Sequence, residues 1–352
     1  MEVIRGPSKR NTWAMTDHAA FLHSLKPLKE LLLSDSEAFE AQIERAYIAN
    51  PWFIPAFTKR SIIAIAEEFL DEQKCSRWIS SYPPASGGQK RIAVIMAGNL
   101  PLVGFHDLFC ILASGHSAVI KLSDRDATLL PWITEQWIRI YPELASRITY
   151  TERFDGYDAV IATGSNNSGR YFEYYFRSYP HILRQNRNGV AVLTGHETMD
   201  DLRKLAEDIF LYFGFGCRNV SKIFVPQDYD FTMWDEATAA WKYLEDHNKY
   251  KNNLEYNFAI FIINSIPHIN LGHLILKEDD AIASRIGCLH YSYYTEKESL
   301  GNILETKREE IQCVISQDPI DGWEHVHFGD SQRPRLDQYA DGVDTMQFLA
   351  SL

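Results

Sequence analysis

Hydrophobic positions follow two different rhythms along this chain. From Asp17 to Tyr82, the segments "AFLHSLKPLKELLL", "SEAFEAQIERAYIA" and "RSIIAIAEEFL" place apolar residues every three to four positions, the spacing of amphipathic helices. Pro51 and Pro55 in "NPWFIPAF" separate the second helix from the third, and the Pro/Gly/Ser stretch "SYPPASGGQK" at 81–90 is the clearest internal boundary. Beyond it, apolar runs of strand length alternate with helical patterns. "RIAVIMAG", "SAVIKLS", "DAVIATG" and "GVAVLTG" read as strands, "HDLFCILAS" and "ATLLPWITEQWIRI" as helices. The alternation predicts an α/β fold: a mostly parallel sheet, helices on both faces, and ligands where strand ends meet helix starts. From Met199 a helical run leads through "LYFGFGCRNV" to the strand "KIFVP", then a Trp-rich helix from about Trp234 to Leu244 and the apolar "NFAIFIINS". The chain shows no internal repeat or low-complexity tract.

With 352 residues, 45% of them hydrophobic, the chain can bury one large α/β core or two lobes. Its net charge of −12 excludes a broad surface for nucleic acid or anionic membrane, which excess Lys and Arg would have to hold, and leaves room only for a local basic pocket. Five cysteines (Cys75, Cys110, Cys217, Cys288, Cys313), an odd number without CxxC spacing, signal neither a disulfide framework nor a thiolate metal site. A reducing cytoplasm fits them best. The N-terminal "MEVIRGPSKRNTW" lacks the apolar core of a signal peptide, and no apolar run approaches the roughly 18 residues of a membrane span. The expectation is a soluble, unsorted, cytoplasmic protein.

Three strand ends carry polar groups. "AGNLPLVG" puts Asn99 after a strand and Pro101 at the expected helix start, so that the carboxamide points into the space above the sheet. "IATGSNNSGRYF" puts Thr163, Gly164, Ser165 and Gly169 between a strand and a helix, small residues whose backbone N–H groups suit a phosphate. Ordinary turn chemistry accounts for either stretch taken alone. Lys121, Ser123 and Asp124 follow the strand "SAVIK", where an ammonium and a carboxylate serve a ribose or simply form a solvated ion pair. Cys217 is the sharper case. Gly214 and Gly216 free the backbone before it and Arg218 follows, the electropositive, partly open setting that favours a low-pKa nucleophile over a packed small side chain. The aromatic runs "YFEYYF" and "IFLYFGFG" suit either core or the lining of an acyl channel. Among the histidines, nothing in the spacing singles out His273, His290 or any other as a proton donor.

Taken in this order, Asn99, Lys121, "TGSNNSG" and Cys217 resemble the aldehyde dehydrogenase superfamily. Within it, "NPWFIPAFTKRSIIAIAEEFLDEQKCSRWISSY", "AGNLPLVGFHDLFCILASGHSAVIKLSDRD", "ATGSNNSGRYFEYYF" and "FGFGCRNVSKIFVP" are similar to the acyl-CoA reductases that supply aldehyde to bacterial luciferase. The resemblance implies a Rossmann-type nucleotide-binding domain at 87–192, an α/β catalytic domain at 193–330, a helical segment at 1–86 that packs on the nucleotide domain, and a C-terminal tail at 331–352. It implies Cys217 as nucleophile, Asn99 as oxyanion donor, and Lys121, Ser123, Asp124, Thr163, Gly164, Ser165 and Gly169 as cofactor contacts. NADPH is the implied cofactor, with NADH as the alternative. Asp124 favours NADH because a carboxylate repels a 2′-phosphate, and Arg125 offsets it.

The partners implied are an acyl-CoA or other acyl thioester, an acyl-transferring or acyl-activating protein, and further copies of the chain in a homo-oligomer. The water-activating glutamate of aldehyde-oxidising relatives falls by spacing on Leu183, so deacylation by water is expected to be poor. A ribose-contacting "EIFGP"-like motif has only "SRIGCLH" as its counterpart. The expected activity is NAD(P)H-dependent reduction of a long-chain acyl-CoA to aldehyde. The alternatives are an acylating aldehyde or semialdehyde dehydrogenase with a smaller substrate, and a non-catalytic nucleotide-binding scaffold.

Overall fold

Local side-chain caps start the N-terminal helices. The Ser36 hydroxyl accepts the Phe39 N–H at the start of α2 (Glu37–Ala49), and the Asp71 carboxylate accepts the Lys74 N–H at the start of α4 (Glu72–Ser80). Between them, Pro55 opens α3 (Pro55–Glu68), where its missing N–H costs no hydrogen bond; α1 spans Met15–Leu32. The computed structural model describes residues 15–34, 36–84, 87–164 and 166–352. The N-terminal stretch read for sorting, part of the 81–90 boundary, and Ser165 therefore lie outside the described residues.

The expected β1 (Arg91–Ile95), α5 (Phe105–Ala113), β2 (Ser117–Lys121), α6 (Leu129–Ile140), β4 (Ala159–Thr163) and α7 (Asn166–Phe176) follow, joined by two strands the sequence did not announce, β3 (Ile148–Tyr150) and β5 (His181–Arg184). All five strands are parallel, in the order β3-β2-β1-β4-β5. Alternate residues face opposite sides. Ile92 and Val94 meet α1, α5 and α6 in one core, whereas Ala93, Val160 and Ala162 meet Phe176 of α7 in another. The chain leaves β1 toward β2 and β3, then crosses back to β4, so the sheet has a topological switch point between β1 and β4.

The second half contributes β6 (Asn188–Val192), α8 (Met199–Phe210), β7 (Val220–Pro226), α9 (Trp234–Ala237), α10 (Asn248–Ile263), β8 (Ile269–Asn270), β9 (Ile275–Glu278), β10 (Cys288–Tyr294), α11 (Lys297–Thr306), β11 (Ile311–Ser316), β12 (His325–Val326) and α12 (Thr345–Ala350). The strands form a sheet ordered β12-β11-β6-β7-β10-β9-β8, parallel except for the β8–β9 pair. The strand read from "GVAVLTG" is β6, and it pairs with β7 and β11; the first sheet therefore ends at Arg184 and not at residue 192. The Trp-rich segment is a short helix followed by a 3₁₀ turn at Ala239–Asp246, and "NFAIFIINS" is largely the second half of α10.

The chain then returns to the first lobe. Leu336, Tyr339, Met346 and Leu349 join its core, and the Tyr339 hydroxyl accepts the Trp78 indole N–H at 2.9 Å. Among the described residues, no helix is long and apolar enough to cross a membrane.

Candidate active site

The carboxyl ends of β1, β2, β4 and β5 face the loop that precedes β7, and between them lies a cleft of about 1280 Å³. Asn99, Ser123, Thr163, Gly164 and Cys217 all line it. These residues come from four separate places in the chain; the five-stranded parallel sheet gathers the first four at one edge, and the loop before β7 brings Cys217 to face them. Three expected contacts stand elsewhere. Lys121 turns its ammonium to the Glu152 carbonyl (3.2 Å) and does not line the cleft; Asp124 is exposed and also does not line it. Gly169 lies inside the first turns of α7 and not in the loop before it, with no atom within 4 Å of the place a Cβ would take. Pro101 does not start a helix: α5 begins at Phe105. Between them Leu102 adopts a left-handed conformation (φ 62), its N–H held by the buried Asp126 carboxylate at 2.7 Å.

The cysteine loop is strained and clamped. After α8, Tyr212 (φ 54), Phe213 (φ 57) and Gly214 (φ 77) turn left-handed in succession, a conformation that bulky side chains rarely adopt. Two devices hold it. The Phe213 ring packs on Trp52 and Phe57, each 5.0 Å away between centroids, and on His247 at 4.5 Å. Asn219, fully buried, accepts the Gly216 N–H at 2.7 Å and donates to the carbonyls of Asp208 (2.8 Å) and Leu211 (2.9 Å). A Cβ at Gly216 would stand 2.7 Å from the Asn219 Oδ1, so this glycine is what permits the clamp.

Cys217 is the one half-buried cysteine; the other four are buried. Asn99 reaches the cysteine loop from the opposite wall, its amide donating to the Phe215 carbonyl at 2.8 Å, two residues before Cys217. The thiol is not the low-pKa group expected from its neighbours. Burial pushes it up and the Asp341 carboxylate adds to that, while Arg218 and Arg184 pull it down. Arg218 is itself 9% exposed, and its Nε donates to the Ser331 carbonyl at 2.6 Å.

Leu183 does not reach the cleft. Its side chain packs with the Ala93, Val160, Ala162 and Phe176 cluster, and the next residues, Arg184 to Asn188, are the ones that line the wall. Counting along the chain misplaces the expected base position because side chains alternate faces on β5. Arg184 is paired with the buried Asp107, and Arg187 with Asp341 at 3.4 Å. Ser284, Arg285 and Gly287 of "SRIGCLH" line the far side together with Asn253 and Asn257 of α10. His273 and His290 do not line the cleft, and burial lowers both. Of the aromatic runs, Phe172, Phe210, Phe213 and Phe215 line it, while Tyr171, Tyr174 and Tyr175 face solvent. Sequence reasoning missed Asn219, Asp107, Arg184 and Asp341: the first two lie inside stretches it quoted but were not singled out, and the last two belong to no motif or periodic pattern.

No protein-family model matches the chain, and no curated protein matches it. Solved structures do. An oxidoreductase from Marinobacter aquaeolei is similar over 97% of this chain and 85% of its own (TM-score 0.65, 11% identity). Aldehyde dehydrogenase C from Pseudomonas syringae, solved with NAD+ and octanal, is similar over 90% of this chain and 77% of its own (TM-score 0.63, 12% identity). An indole-3-acetaldehyde dehydrogenase from P. syringae, solved with NAD+ and IAA, is similar over 85% and 71% (TM-score 0.60, 14% identity). A two-sheet α/β architecture, with its cysteine loop facing the strand ends of a parallel sheet, is thus the aldehyde dehydrogenase-like fold.

Proposed function

We propose that this protein reduces a fatty acyl thioester, an acyl-CoA in the first instance, to the aldehyde through an acyl-enzyme on Cys217. The observation that carries the reading is the meeting of Cys217 and Asn99 across one cleft, beside a crevice that fits a nicotinamide dinucleotide. The fit rests on the β1–β4 switch point and the start of α7 behind Thr163 and Gly164, which line the cleft. Ser123 and Arg125 line the cleft while Asp124 does not, which favours a 2′-phosphate and hence NADPH over NADH. The reduced nicotinamide supplies the hydride when bound there.

The chain's own groups do the rest. The Cys217 thiolate attacks the thioester carbonyl; the second Asn99 amide hydrogen and the Cys217 backbone N–H hold the oxyanion; the carrier thiolate leaves. Hydride addition to the acyl carbon leaves a thiohemiacetal alkoxide on Cys217, held by the same two donors, and its collapse breaks the carbon–sulfur bond to free aldehyde and the Cys217 thiolate. Among the described residues lining the cleft, the carboxylates are Asp107, Glu310 and Asp341, and each is paired with Arg184, Lys307 or Arg187. With no free base at the thioester, transfer of the acyl group is favoured over its hydrolysis.

The test is purified protein with NADPH or NADH and acyl-CoA esters of graded chain length, followed at the nicotinamide absorbance. Oxidation is expected with long esters, faster with NADPH. A preference for short esters would support the semialdehyde-type alternative, and no oxidation with any ester would leave a scaffold. In the same assay, Asn99→Ala is expected to lower turnover by about 10² to 10³-fold with nucleotide affinity retained, the loss typical of one oxyanion donor. A defect mainly in nucleotide affinity would move Asn99 out of that role.

A further inference from the structure

Arg218 stands next to Cys217 in the chain, but chain proximity does not aim a guanidinium. A network outside the cleft does. Asp208, on α8 and 0% exposed, accepts the Gly329 N–H at 2.7 Å through Oδ2 and the Ser331 N–H at 3.0 Å through Oδ1. Gly329 is left-handed (φ 88), so the turn at 329–331 is shaped to present both N–H groups to one carboxylate. The Ser331 carbonyl, on the same turn, accepts the Arg218 Nε at 2.6 Å. The Asp208 backbone carbonyl in turn accepts the Asn219 amide that clamps the cysteine loop.

From these contacts we propose that Asp208 is a positioning residue for the nucleophile: through the 329–331 turn it fixes the Arg218 guanidinium where it stabilises the Cys217 thiolate. The inference rests on the reading of Cys217 as nucleophile. Arg218 leads the influences that lower the thiol. Removing Asp208 frees the turn, and with it the position of the cation. Burial pushes the Asp208 carboxyl up to about 7, so the carboxylate that accepts both N–H groups is complete above that pH and is lost as pH falls through it. The charged and titratable groups facing this network are Asp330 on the turn and Cys313 on β11 at Asp208, and Arg184, Asp341 and Cys313 at Cys217.

The test is the rate of Cys217 alkylation by iodoacetamide against pH, in the full chain without thioester or cofactor. Asp208→Asn retains the shape but offers an amide where the second N–H needs an acceptor. It is expected to slow alkylation about tenfold well above pH 7, where the native carboxylate is complete, the effect of weakening one neighbouring cation. Arg218→Met is expected to give a shift of the same sign and at least that size, and adding Asp208→Asn to Arg218→Met should change little more. In the native protein the rate should fall more steeply below about pH 7 than a single ionisation allows, and that extra slope should vanish in Arg218→Met. The proposal is overturned if Asp208→Asn lowers only the melting temperature and leaves the alkylation profile in place, or if its effect persists in full beside Arg218→Met. Should Asp208→Asn fail to fold, an unshifted profile in Arg218→Met alone overturns it. Absence of reductase activity in the native protein would sink the functional reading and leave this measurement standing.

Discussion

Cys217→Ala is expected to remove thioester-dependent nicotinamide oxidation almost completely, by about 10⁴-fold or more, the size of loss seen when a covalent nucleophile is deleted. It should also abolish the mass increase that one acyl group adds to the protein when thioester is supplied without cofactor. The melting temperature should scarcely move, because the side chain is only half-buried and makes no side-chain hydrogen bond on which the loop depends. Alkylation under native conditions should mark Cys217 first, since Cys75, Cys110, Cys288 and Cys313 are buried and burial raises all four. Retention of activity in Cys217→Ala, with any other cysteine acylated in its place, would end the covalent mechanism.

Asn219→Ala is expected to have the opposite profile: a large loss of stability together with the loss of activity. The substitution leaves the Gly216 N–H and the carbonyls of Asp208 and Leu211 without their buried partner. Each unsatisfied buried group costs about 1–3 kcal/mol, so the total is on the order of 3–5 kcal/mol once the loop relaxes. The left-handed Tyr212 and Phe213, at about 1–3 kcal/mol of strain each, lose half of what holds them. A melting temperature lower by about 4–7 °C, with Cys217 still present but no longer acylated, is the expected result. Calorimetry and mass spectrometry on one sample decide it. A variant with native stability and native acylation would show that the aromatic packing of Phe213 holds the loop by itself.

Much of the architecture was legible along the chain because its cause is local. The runs at 91–95, 117–121 and 159–163 are short, apolar and bounded by polar or glycine residues, and they are β1, β2 and β4. The three-to-four spacing before residue 82 likewise became helices, since amphipathic period depends only on neighbouring residues. What went unread was short or governed by partners: β3, β5, β8, β9 and β12 have too few residues to show a period, the longer β10 and β11 mix polar residues into their runs, and β6 carries the same apolar signature whichever sheet receives it.

By itself, the sequence determined that this is an α/β protein with a helical N-terminal region, that polar and small residues follow three of its strands, and that one cysteine stands among glycines at an element junction. Those properties follow from periodicity and turn chemistry over ten or so residues. Only the tertiary structure decided which of those residues share a cleft. It brought in Ser123 and Arg125 and left out Lys121, Asp124 and Leu183. It also set Arg184, Asp341 and Arg218 around the thiol, groups separated along the chain by up to 157 positions, between Arg184 and Asp341. The direction of a strand side chain and the electrostatics at a buried thiol depend on pairing and packing across the fold, and no local pattern encodes either one.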